Sequence, residues 1–357
     1  MASSPSLALQ AAARILIVDD SAVARAVIAR AIEPDTRFRV AGAVAHVEAA
    51  LAFLAADSVD IILLDVAMPG MDGITALPRL LAAGGDAPIL IVSGSTPSGG
   101  AAAVQALAHG AADTLVKPQP QGLDAFGTAL LGKLEALTGL GARRGGAPSS
   151  IAPPPPRTGA TAAPLRPSPK VIGIGASTGG IHALAQLLSR LGADMAVPIV
   201  VTQHLPASFT PFFAAQLANM AGRPCDVAED RLRLRAGRII VAPGDAHVTF
   251  VRLAAGGTSI RLLRDPVPSG YLPSVDPMFA SMADIWGADA LGVVLTGMGR
   301  DGLEGARMLK RCGGTVIAQD RSSSVVWGMP GAVVGERLAD AVLPPDAIGA
   351  MLGAMGQ

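Results

Sequence analysis

The sequence predicts two α/β units, each folded around a mainly parallel, doubly wound sheet. Three observations carry that expectation. At 357 residues, half of them apolar, the chain is too long for one ordinary domain and rich enough for two cores. Short apolar runs alternate with helix-length periodic segments in both halves, the pattern of a parallel sheet with crossover helices. Between the halves, residues 139–169 (GLGARRGGAPSSIAPPPPRTGATAAPLRPSP) are too poor in large apolar side chains to bury a core, and four successive prolines favour polyproline II. The expected organisation is a unit over 14–138, a linker over 139–169 and a second unit over 170–357.

In the first unit, Arg14–Val18 (RILIV) is a buried strand, followed by a helix over Ser21–Ile32 that ends before Pro34. Phe38–Ala43 is the second strand and Val47–Ala55 the second helix. Ile61–Leu64 (IILL) is the third strand, and Ile74–Ala83 is helical with Pro78 an awkward interior residue. Pro88–Val92 (PILIV), a helix over Ala101–Ala108, a strand over Asp113–Val116 and a helix over Leu123–Leu137 complete the alternation.

The second unit opens with an apolar strand from Lys170 into Gly173-Ile-Gly175-Ala-Ser177-Thr-Gly179-Gly180, then an amphipathic helix from about Ile181. Pro198–Thr202 (PIVVT) and Leu291–Thr296 (LGVVLT) are further buried strands. A helix over Leu303–Arg311 follows the second of these, Asp276–Ile285 is helical, Gly313–Ala318 is a strand and Asp346–Met355 closes the chain. Arg238–Ala242, His247–Val251 and Ser259–Leu263, separated by Pro-Gly-Asp and Gly-Gly turns, are expected to form an antiparallel hairpin region appended to the sheet.

Composition narrows the function. Basic and acidic residues balance at 28 each, which argues against a nucleic-acid partner, since that needs a basic excess. Two cysteines, Cys225 and Cys312, are too few for a disulfide framework or a cysteine-rich zinc site and fit a reducing cytoplasm. No run approaches 18 uninterrupted apolar residues, and the start MASSPSLALQAAA lacks a charged leader region. Neither membrane insertion nor a signal peptide is expected, and the expected location is cytoplasmic.

In the first unit the chemistry lies at strand ends. Asp19 and Asp20 end the first strand, Asp65 the third, Ser93 the fourth and Lys117 the fifth. In a parallel sheet these ends share one edge, where ligands bind. Three crowded carboxylates suit a hard cation such as Mg²⁺, and with a hydroxyl and an ammonium they suit phosphoryl transfer to Asp65. Each acid taken singly reads more readily as a helix cap or loop residue. Taken together, Val18-Asp19-Asp20-Ser21, Leu64-Asp65-Val66-Ala67-Met68-Pro69-Gly70-Met71-Asp72-Gly73, Ser93 and Lys117-Pro118 resemble the receiver domain of two-component response regulators, a flavodoxin-like fold. The resemblance implies phosphorylation of Asp65 by a histidine kinase. It also implies Mg²⁺ on Asp20, Asp65 and the Ala67 carbonyl, with Asp19 acting through water, and Ser93 and Lys117 touching the phosphoryl oxygens. Where many receivers carry an aromatic switch residue, this chain has Thr114.

In the second unit the glycine-rich corner admits two readings. One is a dinucleotide-binding turn, although its third glycine falls one position late for that pattern. The other is a nucleophile turn that presents Ser177 at a strand-to-helix corner, with helix N–H groups near a developing oxyanion. A serine nucleophile needs a base and an orienting acid. Of five histidines, only His204 directly follows a buried parallel strand; Asp301 follows another, where it reads either as a helix N-cap or as the acid. Met298 and Ser274-Val275-Asp276 are read first as packing and capping residues, with lining of a substrate groove as the alternative.

The stretches IGASTGG, VVTQHLPASFT, IIVAPGDAHV, PSVDPMFASMA, GVVLTGMGRDG and AQDRSSSVVWGMPGAVV resemble, in order, the catalytic domain of chemotaxis protein-glutamate methylesterases. The resemblance implies a Ser177, His204, Asp301 triad, an oxyanion hole near Ser177–Gly179 and Gly297–Met298, and no cofactor for the esterase reaction. It implies methylated glutamates of methyl-accepting chemotaxis receptors as substrate, methanol as product, and deamidation of receptor glutamines as a second activity within the family. One departure is AEDRLRLRAG, where a glycine often follows the acid at 230; Arg231 stands there, which should alter a turn and not the chemistry.

Overall fold

The computed structural model describes residues 12–68, 73–94, 96–118, 120–139, 169–192 and 195–355. Most of the expected linker, and Pro69, Gly70, Met71 and Asp72 of the acidic motif, lie outside the described residues.

The N-terminal sheet is built from β1 (Ala13–Val18), α1 (Ala22–Ile32), β2 (Phe38–Val44), α2 (Val47–Ala56), β3 (Ile61–Leu64), α3 (Gly73–Gly84), β4 (Ile89–Ser93), α4 (Pro97–Ala108), β5 (Asp113–Val116) and α5 (Leu123–Thr138). Its strand order is β2-β1-β3-β4-β5. Strand β1 pairs in parallel with β2 and β3, and β3 with β4. Ile15–Val18 and Ile61–Leu64 are almost fully buried, as strands covered on both faces must be. The Ser21 hydroxyl caps α1 by accepting from the Ala24 amide. Helix α3 runs through Pro78.

The C-terminal part comprises β6 (Val171–Ala176), α6 (Gly180–Leu188), β7 (Ile199–Gln203), α7 (Thr210–Ala221), β8 (Cys225–Val227), β9 (Ile239–Val241), β10 (His247–Arg252), β11 (Thr258–Leu263), α8 (Val275–Trp286), β12 (Ala290–Val294), α9 (Leu303–Arg311), β13 (Thr315–Gln319), α10 (Met329–Gly335), β14 (Ala341–Leu343) and α11 (Pro345–Met355). A seven-stranded sheet runs β14-β13-β12-β6-β7-β9-β8, and β10 pairs antiparallel with β11 as a separate hairpin. This corrects one expectation. The strand expected at Arg238–Ala242 joins the parallel sheet between β7 and β8 and is no part of the hairpin. Its Ile-Ile-Val run is buried without alternation, which suits a strand covered on both faces. Among the described residues, no helix is long and apolar enough to cross a membrane.

Helix α8 lies directly on the middle of the sheet because the strands beneath it are glycine-rich. A Cβ at Gly173 would stand 2.5 Å from the Met282 sulfur, and one at Gly175 would stand 2.6 Å from the Val275 methyls. That close seating brings the start of α8 down to the carboxyl ends of β6, β7 and β12. Arg231 adopts φ +65, the left-handed backbone that glycine takes most easily, so the departure at this position falls in the turn as expected.

Candidate functional site

Ser177 and His204 continue two neighbouring strands past their last register pair, Ala176 with Gln203. The His204 amide donates to the Ala176 carbonyl at 3.1 Å, and the Ser177 amide donates to the Thr296 carbonyl at 3.0 Å. The serine thus sits between the ends of β7 and β12. The turn behind it needs glycine: Gly179 has φ +77, and a Cβ at Gly180 would run into the Gln203 side chain. Gln203 donates its amide to the Ser177 carbonyl at 2.8 Å, and α6 begins at Gly180, so its positive end backs the serine.

Asp301 is about 1% exposed and fully engaged. Its Oδ2 accepts from His204 Nε2 at 2.8 Å and from the Val275 amide at 2.7 Å; its Oδ1 accepts from the Ser274 hydroxyl at 2.6 Å. Burial alone would push this carboxyl up, but the bonds from His204, Ser274 and Val275 outweigh it and hold Asp301 below the ordinary carboxylate range. Gly302, not Asp301, is the N-cap of α9; Asp301 instead faces the positive end of α8. A carboxylate only accepts, so Nε2 of His204 carries the proton. The other nitrogen, Nδ1, is buried without a protein partner and holds the lone pair that a general base needs. Tyr271 stacks on the imidazole with centroids 4.2 Å apart and planes 12° from parallel.

The structure thus brings His204 and Asp301 into contact and sets Ser177 on the adjoining strand end, with no hydrogen bond yet to Nδ1. Such bonds commonly tighten only in the substrate complex. Three of the expected oxyanion donors are already spent: the Ser177 amide on the Thr296 carbonyl, the Gly297 amide on the Val326 carbonyl, and the Gly179 amide, which also donates to a backbone carbonyl. Ser274 does cap α8, accepting from the Asp276 amide at 3.3 Å, and its hydroxyl also donates to Asp301. Gln203, Tyr271 and His247, whose Nδ1 accepts from the Ser274 amide at 2.9 Å, were not marked by the sequence as parts of this site.

In the N-terminal sheet, Asp19, Asp20 and Asp65 each offer an oxygen within 4.8 Å of the others. Lys117 Nζ bridges Asp19 and Asp65 at 2.7 Å to each. Burial raises Asp19 above the ordinary carboxyl range despite the nearby ammonium. Burial also opposes the charge on Lys117, but its bonds to Asp19 and Asp65 outweigh this and raise it. Both acids also cap their own loops, Asp19 at the Ser21 amide (2.9 Å) and Asp65 at the Ala67 amide (3.0 Å). Ser93 is buried at the end of β4, and its carbonyl accepts from the Lys117 amide at 2.8 Å. Thr114 is buried within β5. The hard-oxygen donor set, more negative than one lysine can neutralise, fits a divalent cation such as Mg²⁺.

Two family models match this chain: CheB methylesterase over residues 172–352 and response regulator receiver domain over residues 15–125. A relative from Caulobacter vibrioides, named protein-glutamate methylesterase/protein-glutamine glutaminase 2, is 43% identical and the alignment covers 94% of this chain and 96% of that one. One from Azospirillum brasilense, named protein-glutamate methylesterase/protein-glutamine glutaminase, is 41% identical over 94% of this chain and 91% of its own. The crystal structure of the Thermotoga maritima CheB methylesterase catalytic domain is 37% identical, covers 52% of this chain and 97% of that one, and superposes with a TM-score of 0.50. With a receiver domain at its head and matched along nearly all its length, the chain belongs to the CheB methylesterase family of hydrolases.

Proposed function

We propose that this protein hydrolyses glutamate methyl esters on methyl-accepting chemotaxis receptors in the cytoplasm, with Ser177 as nucleophile, His204 as general base and Asp301 as the orienting acid. The observation that carries this is the His204–Asp301 hydrogen bond at 2.8 Å, which leaves Nδ1 without a protein partner while Ser177 lies at the adjoining strand end. In the first step the Ser177 oxygen attacks the ester carbonyl while its proton passes to His204 Nδ1. The negative charge on the carbonyl oxygen is met by backbone N–H groups, for which Thr178 and Met298 are the candidates left once the Ser177, Gly179 and Gly297 amides are spent. His204 then protonates the departing methoxide, and methanol leaves behind a glutamyl–Ser177 ester. Water attacks that ester, gives its proton to Nδ1, and the serine recovers it as the glutamate is freed. Asp301 stays ionised throughout and stabilises the imidazolium. The reaction calls on no cofactor. A glutamine side chain presents the same electrophilic carbon, so deamidation follows the same route with ammonia leaving.

The receiver's part is phosphorylation of Asp65 by a histidine kinase of the chemotaxis type. Asp19, Asp20 and Asp65 would hold Mg²⁺, which when bound offsets charge on the phosphoryl oxygens; Lys117 and Ser93 contact those oxygens. The deciding experiment is methanol release from methylated receptor membranes with and without a phosphodonor. Release that depends on Ser177 and rises with phosphorylation supports the reading, and no release under either condition refutes it.

A further inference from the structure

The chain contains one tyrosine, in a sequence only 3% aromatic, and that residue lies flat against His204. Nothing in the triad chemistry asks for a tyrosine there. The Asp301 bond fixes one edge of the imidazole, but a single in-plane bond leaves the ring free to rock out of plane about it. The near-parallel contact at 4.2 Å supplies the missing restraint on the plane.

The far end of Tyr271 is tied as well. Its hydroxyl donates to the Met298 carbonyl at 3.3 Å, and the backbone at 299 must be glycine because a Cβ there would stand 2.5 Å from that hydroxyl. Burial, with Asp301 adding to it, raises the phenol above its ordinary range, so it remains a donor. The backbone carrying the ring belongs to the segment that holds Asp301. The Ser269 hydroxyl donates to the Ser274 hydroxyl at 3.1 Å, Ser274 donates to Asp301, and the Ser274 amide is pinned by His247. Residues 269–275 therefore grip the acid with one end and the face of the base with the other. The Tyr271 ring also lines a cavity of about 630 Å³ shared with Pro268, Asp276, Arg300 and Met308, which its loss would extend to the imidazole.

We propose that Tyr271 is a positioning residue of the esterase reaction, its ring holding His204 in the plane that keeps Nε2 on Asp301 and Nδ1 available to Ser177. This rests on the catalytic assignment above. The test uses the full-length protein and methanol release from methylated receptor membranes. Tyr271→Leu should lower kcat about 100-fold, the scale of a misplaced catalytic group, with KM little changed. Tyr271→Phe keeps the ring and should recover most of that loss. In protein carrying nitrogen-15 histidine, the signals absent from His204→Ala identify His204. They should report an Nε2–H tautomer in the wild type and Tyr271→Phe, and exchange-averaged nitrogens in Tyr271→Leu. Should Tyr271→Leu fail to fold, Tyr271→Met, which fills similar space without a flat face, takes its place in the same comparison. Wild-type kcat without the ring, while Ser177→Ala is inactive, overturns the proposal and leaves the triad standing. Turnover by Ser177→Ala overturns the catalytic assignment itself. Tyr271→Phe as slow as Tyr271→Leu would place the effect in the hydroxyl and also overturns the proposal.

Discussion

Asp276 gives the sharpest physical test of how the start of helix α8 is built. Its carboxyl accepts from the Gly305 amide at 2.8 Å, but it is largely buried and close to the ionised Asp301, and its own amide lies 3.4 Å from Asp301 Oδ1. Burial first, and then the like charge of Asp301, push it up to about 6 from an ordinary 3.8. The folded protein therefore holds this proton more tightly than the unfolded chain does. Stability from this group is fully present below about pH 4, falls as pH rises towards 6, and is flat above; the total is roughly 3 kcal/mol. Asp276→Asn keeps an acceptor for Gly305 and removes the charge. The variant should thus be about 1 kcal/mol more stable than wild type at pH 4.5 and about 3 kcal/mol more stable at pH 7. Asp301 does not confuse the comparison, because its pKa is depressed and its contribution is lost only as pH falls below the ordinary carboxyl range. Urea unfolding followed by tryptophan fluorescence reports the right domain, since both tryptophans, Trp286 and Trp327, lie in the C-terminal half. A stability difference between variant and wild type that does not change between pH 4.5 and 7 would refute the reasoning.

Ser177→Ala and His204→Ala should each lose nearly all methanol release, on the order of 10⁶ in kcat, since triad members act as a unit. Asp301→Asn should lose about 10⁴, because the acid orients the base and does not move the proton; wild-type-like turnover in any of the three counts against the triad. Asp65→Asn should abolish Mg²⁺-dependent labelling by acetyl phosphate and Asp20→Asn should weaken it, whereas labelling that persists in Asp65→Asn would identify another acceptor. A protein starting at Lys170 should release methanol from receptors faster than the unphosphorylated full-length chain, and equal rates would mean that the receiver does not restrain the esterase.

The sequence made legible what chain-local signals encode. Asp19, Asp65, Ser177 and His204 directly follow buried strands and Lys117 follows the half-buried β5, and in a parallel sheet that position is enough to place a side chain at the ligand edge. What it did not reveal lies in contacts across long separations. Ser274 looked like a cap and is one, yet its hydroxyl also reaches Asp301, 27 positions away; Tyr271 and His247 carry no local mark of belonging to the site. Strand β9 was misplaced because three apolar residues flanked by turn signals look alike whether they join a hairpin or a parallel sheet. The short edge strands β8 and β14 offer too few residues for any period to show. Helix α7 could have been found from Pro211 in its first turn and Gly222 at its left-handed end.

The two sites use the same part, an aspartate at the carboxyl end of a parallel strand, and charge balance turns it to different ends. In the receiver, three clustered carboxylates face one ammonium, an excess of negative charge that suits a divalent cation. In the esterase domain, Asp301 has one acidic neighbour, Asp276, whose pKa is raised beside it, and it draws donors from His204, Ser274 and Val275 and the positive end of α8, so its charge is satisfied within the fold. A satisfied carboxylate has little reason to take a proton. It holds the imidazole in one tautomer and leaves proton transfer to Nδ1, which is why the chemistry is assigned to the His204–Ser177 pair and the acid is expected to matter less than either.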